Sequence, residues 1–254
     1  MSIEITIMGL LVGFLVGLTG VGGAALLTPI LIIIGVQPSI AVGTDLIYNA
    51  VTKLFGTIQH WKQKTVNFTL VKYLTMGSIP GAVLAVCALH FLANVYHNQE
   101  ETIKSALGYV LILVSAATIV RVFFDKKLRP NRWQLAPMEE KKGLTIGIGI
   151  VFGFMVGLTS IGSGSLFAVA MLYLYRMQAS ELVGTDIAHA FLLVTVAGAL
   201  HAGIGSIDYL LAGNLLLGSI PGVMFGSTLS AKVPTKPLRT IVATIILISG
   251  LKLI

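Results

Sequence analysis

Apolar runs and short polar gaps alternate along the whole chain. The runs cover residues 5–19, 22–35, 39–60, 69–92 and 103–123, and then 144–160, 164–176, 182–203, 208–231 and 237–254. The last three runs of each set of five are long enough to cross a hydrocarbon core of about 30 Å, which takes roughly 20 helical residues. The first two of each set are shorter, since 15 residues at 1.5 Å rise reach only about 22 Å. They predict half-helices separated by a glycine-rich joint, GLTGVGG at 17–23 and GLTSIGSG at 157–164. Irregular backbone at membrane depth survives only where protein or a wet cavity satisfies it. Two short or tilted spanning helices are the alternative reading of each pair.

The two sets of runs are copies of one another. GFLVGLTGVGGAAL at 13–26 returns as GFMVGLTSIGSGSL at 153–166, with eight identities in fourteen positions at a spacing of 140. One residue of slippage then aligns VGTD at 42–45 with VGTD at 183–186, and GSIPG at 77–81 with GSIPG at 218–222. His60 pairs with His201 at the same spacing. Several blocks in one order at one spacing mark a duplication. The expected organisation is a first repeat over 1–120, a linker over 121–142 holding ten of the 27 charged residues, and a second repeat over 143–254.

Composition sharpens this into a membrane assignment. Of the 254 residues 56% are hydrophobic and 11% charged, with a mean hydropathy of +0.92, against about 25% charged in soluble domains. A water-soluble fold is excluded. The net charge of +7 sits in the gaps between runs and forms no aromatic-interleaved stripe, so it points away from nucleic acid and toward the positive-inside rule. With the linker in the cytoplasm and each short pair entering and leaving on one side, the cytoplasmic loops collect Lys62, Lys64, Lys72, Arg176, Lys232, Lys236, Arg239 and seven basic linker residues. The opposite face keeps Lys104 and Lys252 beside Glu4, Glu100, Glu101 and Asp208. That asymmetry arises only if each copy makes an odd number of net crossings. The expected fold is therefore an all-α polytopic inner-membrane protein of two inverted repeats, each a glycine-broken short pair followed by three transmembrane helices, with both termini outside. The first run, with no basic residue before it and no small-x-small cleavage site after it, reads as a retained segment. Cys87, the only cysteine, permits no internal disulfide or thiolate metal cluster and reads as a small core residue.

Inverted repeats are an architecture of secondary transporters, whose sites lie near the midplane where broken helices meet. The free N–H groups and positive dipole end of each second half-helix attract anions. On this basis the candidate substrate site is Thr19, Gly20, Gly22, Gly23, Asn49, Lys53, Thr159, Ser160, Gly162 and Ser163, with Ser165 a further hydroxyl. Tight helix packing by small residues is the competing reading of the joints. Asp45, Asn49, Lys53 and His60 share one helical face, and a charge at bilayer depth costs at least about 2.5–3.5 kcal/mol, so Lys53 needs a partner or a purpose. It would bind the anion or compensate Asp45 or Asp186. Asp45 and Asp186 are read either as caps of the joints or as ion sites. The second copy carries Asp186, His189, Thr195 and His201, with Val194 in the place of Lys53. His189 is a candidate proton carrier, whereas His60 and His201 read as helix-end residues. Pro80 and Pro221 fall mid-helix, where proline removes a ladder bond.

The GLTGVGGAALLTPIL segment, the following VGTD, the SIPG block and their recurrence in the second half resemble the TauE/SafE sulfite exporter family of membrane permeases. The resemblance covers nearly the whole chain outside the linker. It implies a permease for sulfur-containing anions such as sulfite, sulfonates or sulfoacetate. The expected partners are a small anionic substrate, the lipid bilayer and a coupling proton or cation, with no nucleic acid, no cofactor and no metal. Oligomeric state stays open, a homodimer included. Two other functions compete: a passive anion channel, and an intramembrane serine hydrolase pairing Ser160 or Ser163 with His189 or His201. The second lacks the full G-x-S-x-G pattern.

Overall fold

The computed structural model describes residues 3–19, 24–96, 99–123, 132–162, 164–230 and 235–254. The first copy contributes α1 (Ile3–Thr19), α2 (Ala24–Ile33), α3 (Pro38–Lys62), α4 (Phe68–Tyr96) and α5 (Gln99–Phe123). A four-residue α6 (Arg132–Leu135) follows, and the second copy contributes α7 (Met138–Thr159), α8 (Ser165–Leu174), α9 (Ala179–Gly203), α10 (Tyr209–Ser230) and α11 (Thr235–Leu253). Five of these, on α4, α5, α7, α9 and α10, are long and apolar enough to span a bilayer. The protein is an all-α polytopic membrane protein.

Glycines set the register of the longest contacts. Gly149 meets Leu74 and Ser78, Gly153 meets Ser78, and Gly157 meets Ala82 and Ala85, so α4 and α7 run parallel. Gly9 against Leu215 and Gly13 against Ser219 place α1 and α10 in the same parallel relation. These four helices are swapped equivalents: the first helix of each copy lies along the fourth of the other. Corresponding helices of the two copies meet head to tail. Gly43 faces Ser206, Gly198 faces Leu46 and Ile47, and Gly56 faces Ile187, so α3 and α9 are antiparallel. On α5 and α11, Gly108 faces Gly250 and Ile254, and Ser115 Oγ donates to Ala243 O at 2.9 Å, again antiparallel.

This register gathers the ends of the helices by charge. The C-terminal end of α3, the N-terminal ends of α4, α7 and α9 and the C-terminal end of α8 lie together, with Lys62, Lys64, Lys72, Lys141, Lys142 and Arg176 beside Glu139, Glu140 and Glu181. At the other end stand Glu4, Glu100, Glu101, Lys104, Asp208 and Lys252.

The α7–α8 pair enters and leaves at one end. Lys141 Nζ on α7 donates to Leu174 O at 3.3 Å and Gln134 Nε2 on α6 to Leu172 O at 2.6 Å, tying the last turn of α8 to the beginning of α7 and to α6. Within this pair only α8, at 10 residues, has the length of a half-helix. At 22 residues, or about 33 Å, α7 is a full span, which corrects the expectation of two short members. The helix begins before the apolar run because Pro137 precedes it and Glu139 and Glu140 occupy its first turn, where carboxylates suit the helix dipole. The outer surface is apolar, as a bilayer requires. Met76, Leu84 and Phe91 form an exposed stripe on α4, and Cys87 lies in it. Cys87 is thus exposed rather than core: the opposite face of α4, with Gly77 and Gly81, is the one that packs on α7.

Candidate functional site

The second joint is strung between the two VGTD aspartates. α7 ends at Ser160, which is left-handed (φ 60°) and donates its N–H to Val156 O at 2.8 Å. A non-glycine residue there costs on the order of 1–2 kcal/mol, and its side chain shows what holds it. Ser160 Oγ donates to Asp45 Oδ2 on the other copy. Four residues on, Gly164 (φ 87°, ψ −102°) opens α8, and its N–H donates to Asp186 Oδ1 at 3.3 Å. That conformation needs glycine. In the first copy α1 ends at Thr19 and α2 starts at Ala24. The expected site residues Gly20, Gly22, Gly23 and Ser163 lie outside the described residues, as does the side chain of Thr19.

Asp45 is held by three side chains. Thr28 Oγ1 on α2 donates to Oδ2 at 2.8 Å, Ser160 Oγ to the same oxygen, and Asn49 Nδ2 to Oδ1 at 2.8 Å. Thr28 and Ser160 hydroxyls also meet at 2.9 Å. None of these donors is repeated around Asp186: Thr28 corresponds to Ala168, Asn49 to Ala190 and Ser160 to Gly20. The two aspartates therefore have different surroundings despite identical motifs.

The other VGTD positions dock the copies onto each other. Asp208 N–H donates to Thr44 Oγ1 and Asn67 N–H to Thr185 Oγ1, both at 3.0 Å. Asp208 and Asn67 then receive Leu211 and Leu70 N–H groups at 2.8 and 3.1 Å, opening α10 and α4. Gly43 and Gly184 give the loop backbone room at Ser206 and Thr65. The motif is a clasp for the loop of the opposite copy, and its aspartate reaches a joint.

A cavity of about 250 Å³ lies where α3 and α9 cross, in the half of the molecule nearer the basic end. Asn49, Lys53, Gly164 and Asp186 supply its polar lining, with Tyr48, Thr52 and Gly56 beside them. Lys53 is half-buried, and its ammonium lies in the field of both carboxylates, that of Asp186 more strongly than that of Asp45. Of the sequence-predicted residues, Asn49, Lys53 and Asp186 thus meet in one space. Asp45 and Ser160 sit behind it, buried. Thr159 Oγ1 serves its own turn, donating to Met155 O at 2.7 Å, and Gly162 is buried in the joint.

The histidines are placed elsewhere. His189 is buried on α9, its Nε2 is 2.9 Å from Ser78 Oγ, its ring stacks on Phe167, and its Nδ1 has no partner. It does not line the cavity. His201 stands in the last turn of α9, as a helix-end residue, but it is fully buried with Nε2 2.9 Å from Gly157 O, so it is not interfacial: α9 packs that face on the end of α7. His60 Nδ1 meets Thr65 Oγ1 at 2.8 Å beyond the end of α3, as a helix-end residue does. The Ser160 hydroxyl meets Asp45 and Thr28, so its expected pairing with His189 or His201 does not form, and Ser163 lies outside the described residues.

Sequence reasoning missed Thr28, Tyr48 and the two GSIPG serines. Ser78 holds His189, and Ser219 stands beside the Tyr48 hydroxyl. A signal existed: Ser78 and Ser219 recur at the spacing of 141 that also separates Tyr48 from His189.

Comparison with known proteins agrees with this membrane architecture. The family model described as "Sulfite exporter TauE/SafE" matches residues 5–253. The chain is 68% identical over its full length, and that of its relative, to the probable membrane transporter protein YjnA of Bacillus subtilis (strain 168). It is 25% identical to the probable membrane transporter protein YunE of the same organism, over 98% of this chain and 96% of that one. It is 23% identical to the probable membrane transporter protein MJ0441 of Methanocaldococcus jannaschii, over 96% and 92%. No solved structure matches. The extent of the family match and the full-length relative place this chain in the TauE/SafE sulfite exporter family of membrane transporters.

Proposed function

We propose that the protein carries small anions, sulfur-containing ones such as sulfite, sulfonates or sulfoacetate foremost, across the cell inner membrane by alternating access between two inverted repeats. The substrate site is the α3–α9 cavity, where Lys53 and the Asn49 amide meet the anion. Lys53 already faces Asp186, so an entering anion competes with that carboxylate for the ammonium. The basic end faces the cytoplasm, as the positive-inside rule requires, and the termini lie outside.

One observation carries the alternating-access reading. Shifted by 140 or 141 residues, the cavity-lining residues Val16, Thr52, Lys53, Gly56, Val183, Ile187 and Val223 become Val156, Leu193, Val194, Ala197, Val42, Leu46 and Ala82. All seven belong to a single apolar cluster with at most 1% exposure each. The space that is open in one half of the molecule is packed shut in its counterpart. A channel needs both halves open together, whereas a transporter opens them in turn. The antiparallel register of α3 with α9 and of α5 with α11 supports the inversion.

Uptake of 35S-labelled sulfite and sulfoacetate into proteoliposomes against their gradient tests the reading. A charge-assisted contact is worth about 1.5–3 kcal/mol, and 1.4 kcal/mol is tenfold. Lys53→Ala is therefore expected to weaken substrate affinity about 10- to 100-fold while the protein still inserts. Wild-type transport in that variant removes Lys53 from the site, and wild-type flux that only follows the electrochemical gradient of the anion replaces the transporter with a channel.

A further inference from the structure

Three buried oxygens close a triangle at the junction of the two copies. Thr28 Oγ1 stands 2.8 Å from Asp45 Oδ2 and 2.9 Å from Ser160 Oγ, and Ser160 Oγ contacts the same Oδ2. Asp45 and Thr28 are fully buried and Ser160 nearly so. The second carboxylate oxygen is occupied separately by the Asn49 amide. Two oxygens approach to hydrogen-bond distance in such a place only with a hydrogen between them. Three sides need three hydrogens, and each hydroxyl brings one. The third has to come from the carboxyl group.

We propose that Asp45 is a proton-binding site of this protein: its carboxylic hydrogen turns one of the two hydroxyl contacts on Oδ2 around, completing a ring in which Asp45 Oδ2, Thr28 Oγ1 and Ser160 Oγ each donate to the next. Thr28 and Asp45 belong to the first copy and Ser160 to the joint of the second, so the ring fastens one repeat to the other. When the proton leaves, both hydroxyls turn to the carboxylate, and the Thr28–Ser160 side loses its hydrogen. Those two oxygens then repel, and α2 separates from the joint. The second copy builds no such ring, since Gly20, Ala168 and Ala190 stand where Ser160, Thr28 and Asn49 would. The site is therefore single, one proton per chain. The ionisable groups around it are Tyr48 and Lys53 on its own helix, Asp186, His189 and His201 on α9, and Glu100 on α5, which bonds Ser39 at the start of α3. The packed faces of α2 and α10 present none.

The use of this proton as the coupling ion rests on the transporter reading; its presence on Asp45 does not. Infrared spectra of the purified protein at neutral pH provide the test, with the proton itself as ligand. The wild-type minus Asp45→Asn difference is expected to contain one carboxylic C=O stretch, which shifts in D2O and fades as pH is raised. Thr28→Val, which keeps the carboxyl and removes one ring hydroxyl, is expected to move that band to higher frequency. Absence of the band overturns the proposal, and so does a band that Thr28→Val leaves in place. In proteoliposomes, Asp45→Asn is expected to keep sulfoacetate exchange at equal pH and to lose its acceleration by a pH gradient. An undiminished gradient response in that variant overturns the coupling role, whereas a wild-type protein that shows the band and carries no anion sinks the function proposed above and leaves the proton site standing.

Discussion

Gly153 and Gly147 lie on one helix, six residues apart, and the structure assigns them opposite responses to the same added methyl group. A Cβ on Gly153 would stand 2.6 Å from both the Cα and the carbonyl carbon of Ser78, and closer still to the Ser78 carbonyl oxygen. These are backbone atoms of α4, with no rotamer to yield, so α4 and α7 must move apart. Gly147 has nothing within 4 Å of its ideal Cβ. Overpacking costs about 1–3 kcal/mol, and alanine in a helix is favoured over glycine by about 0.5–1 kcal/mol. At about 2–4 °C per kcal/mol for a chain of this size, Gly153→Ala is expected to lower Tm by roughly 1–10 °C and Gly147→Ala to raise it by roughly 1–4 °C. Thermal unfolding of both variants in one detergent, followed by intrinsic tryptophan fluorescence, reads the difference. Equal Tm values would refute the parallel α4–α7 packing on which the register of the whole second copy depends. The mate of Gly153 is Gly13, whose Cβ would meet Ser219 Cα at 2.7 Å, so Gly13→Ala should behave like Gly153→Ala.

Ser78→Ala leaves both ring nitrogens of buried His189 without a partner, and an unsatisfied buried group costs about 1–3 kcal/mol; a Tm drop of roughly 2–12 °C is expected, and an unchanged Tm would show that the Ser78–His189 bond contributes nothing. An ideal Cβ on Gly198 lies 3.5 Å from Leu46 Cβ, within the span of a disulfide. In a Cys87→Ala background, Leu46→Cys with Gly198→Cys should lock the apolar cluster shut when oxidised, abolishing transport that reductant restores. Transport indifferent to the crosslink would make the cluster a static core. In the same background, a membrane-impermeant maleimide added to intact cells should label Glu101→Cys and miss Lys142→Cys, and the reverse pattern would invert the orientation.

Much of this architecture is written along the chain because a bilayer leaves few choices. Lipid demands apolar surfaces of fixed length and satisfied backbone, so run lengths, glycine joints and polar gaps announce helices and breaks without help from tertiary contacts. The duplication is equally plain, since the spacings of 140 and 141 are a property of the sequence alone. The polar row of α3 was legible for the same reason: helical periodicity puts Asn49 and Lys53 on one face, and only a few partners can stand opposite a charge at that depth. What the sequence could not say is how residues far apart along it share one space. Ser160 and Asp45 are 115 positions apart, and periodicity within a helix carries no information about the face of another helix.

That limit explains the individual misses. His189 and Lys53 are both polar residues on spanning helices, yet the crossing of α3 and α9 turns Lys53 into a cavity and His189 against Phe167 and Ser78. Thr28 looks like any threonine in an apolar run until α2 folds back against Asp45. The beginning of α7 was misjudged because a polar first turn ends an apolar run without ending a helix. The two VGTD motifs are identical letter by letter, but packing gives Asp45 three side-chain donors from two copies and leaves Asp186 on the cavity wall. The sequence by itself settled a duplicated, helical, membrane-bound chain. Only the tertiary structure decided which half of that duplication stands open, because opening depends on side chains brought together across the two copies.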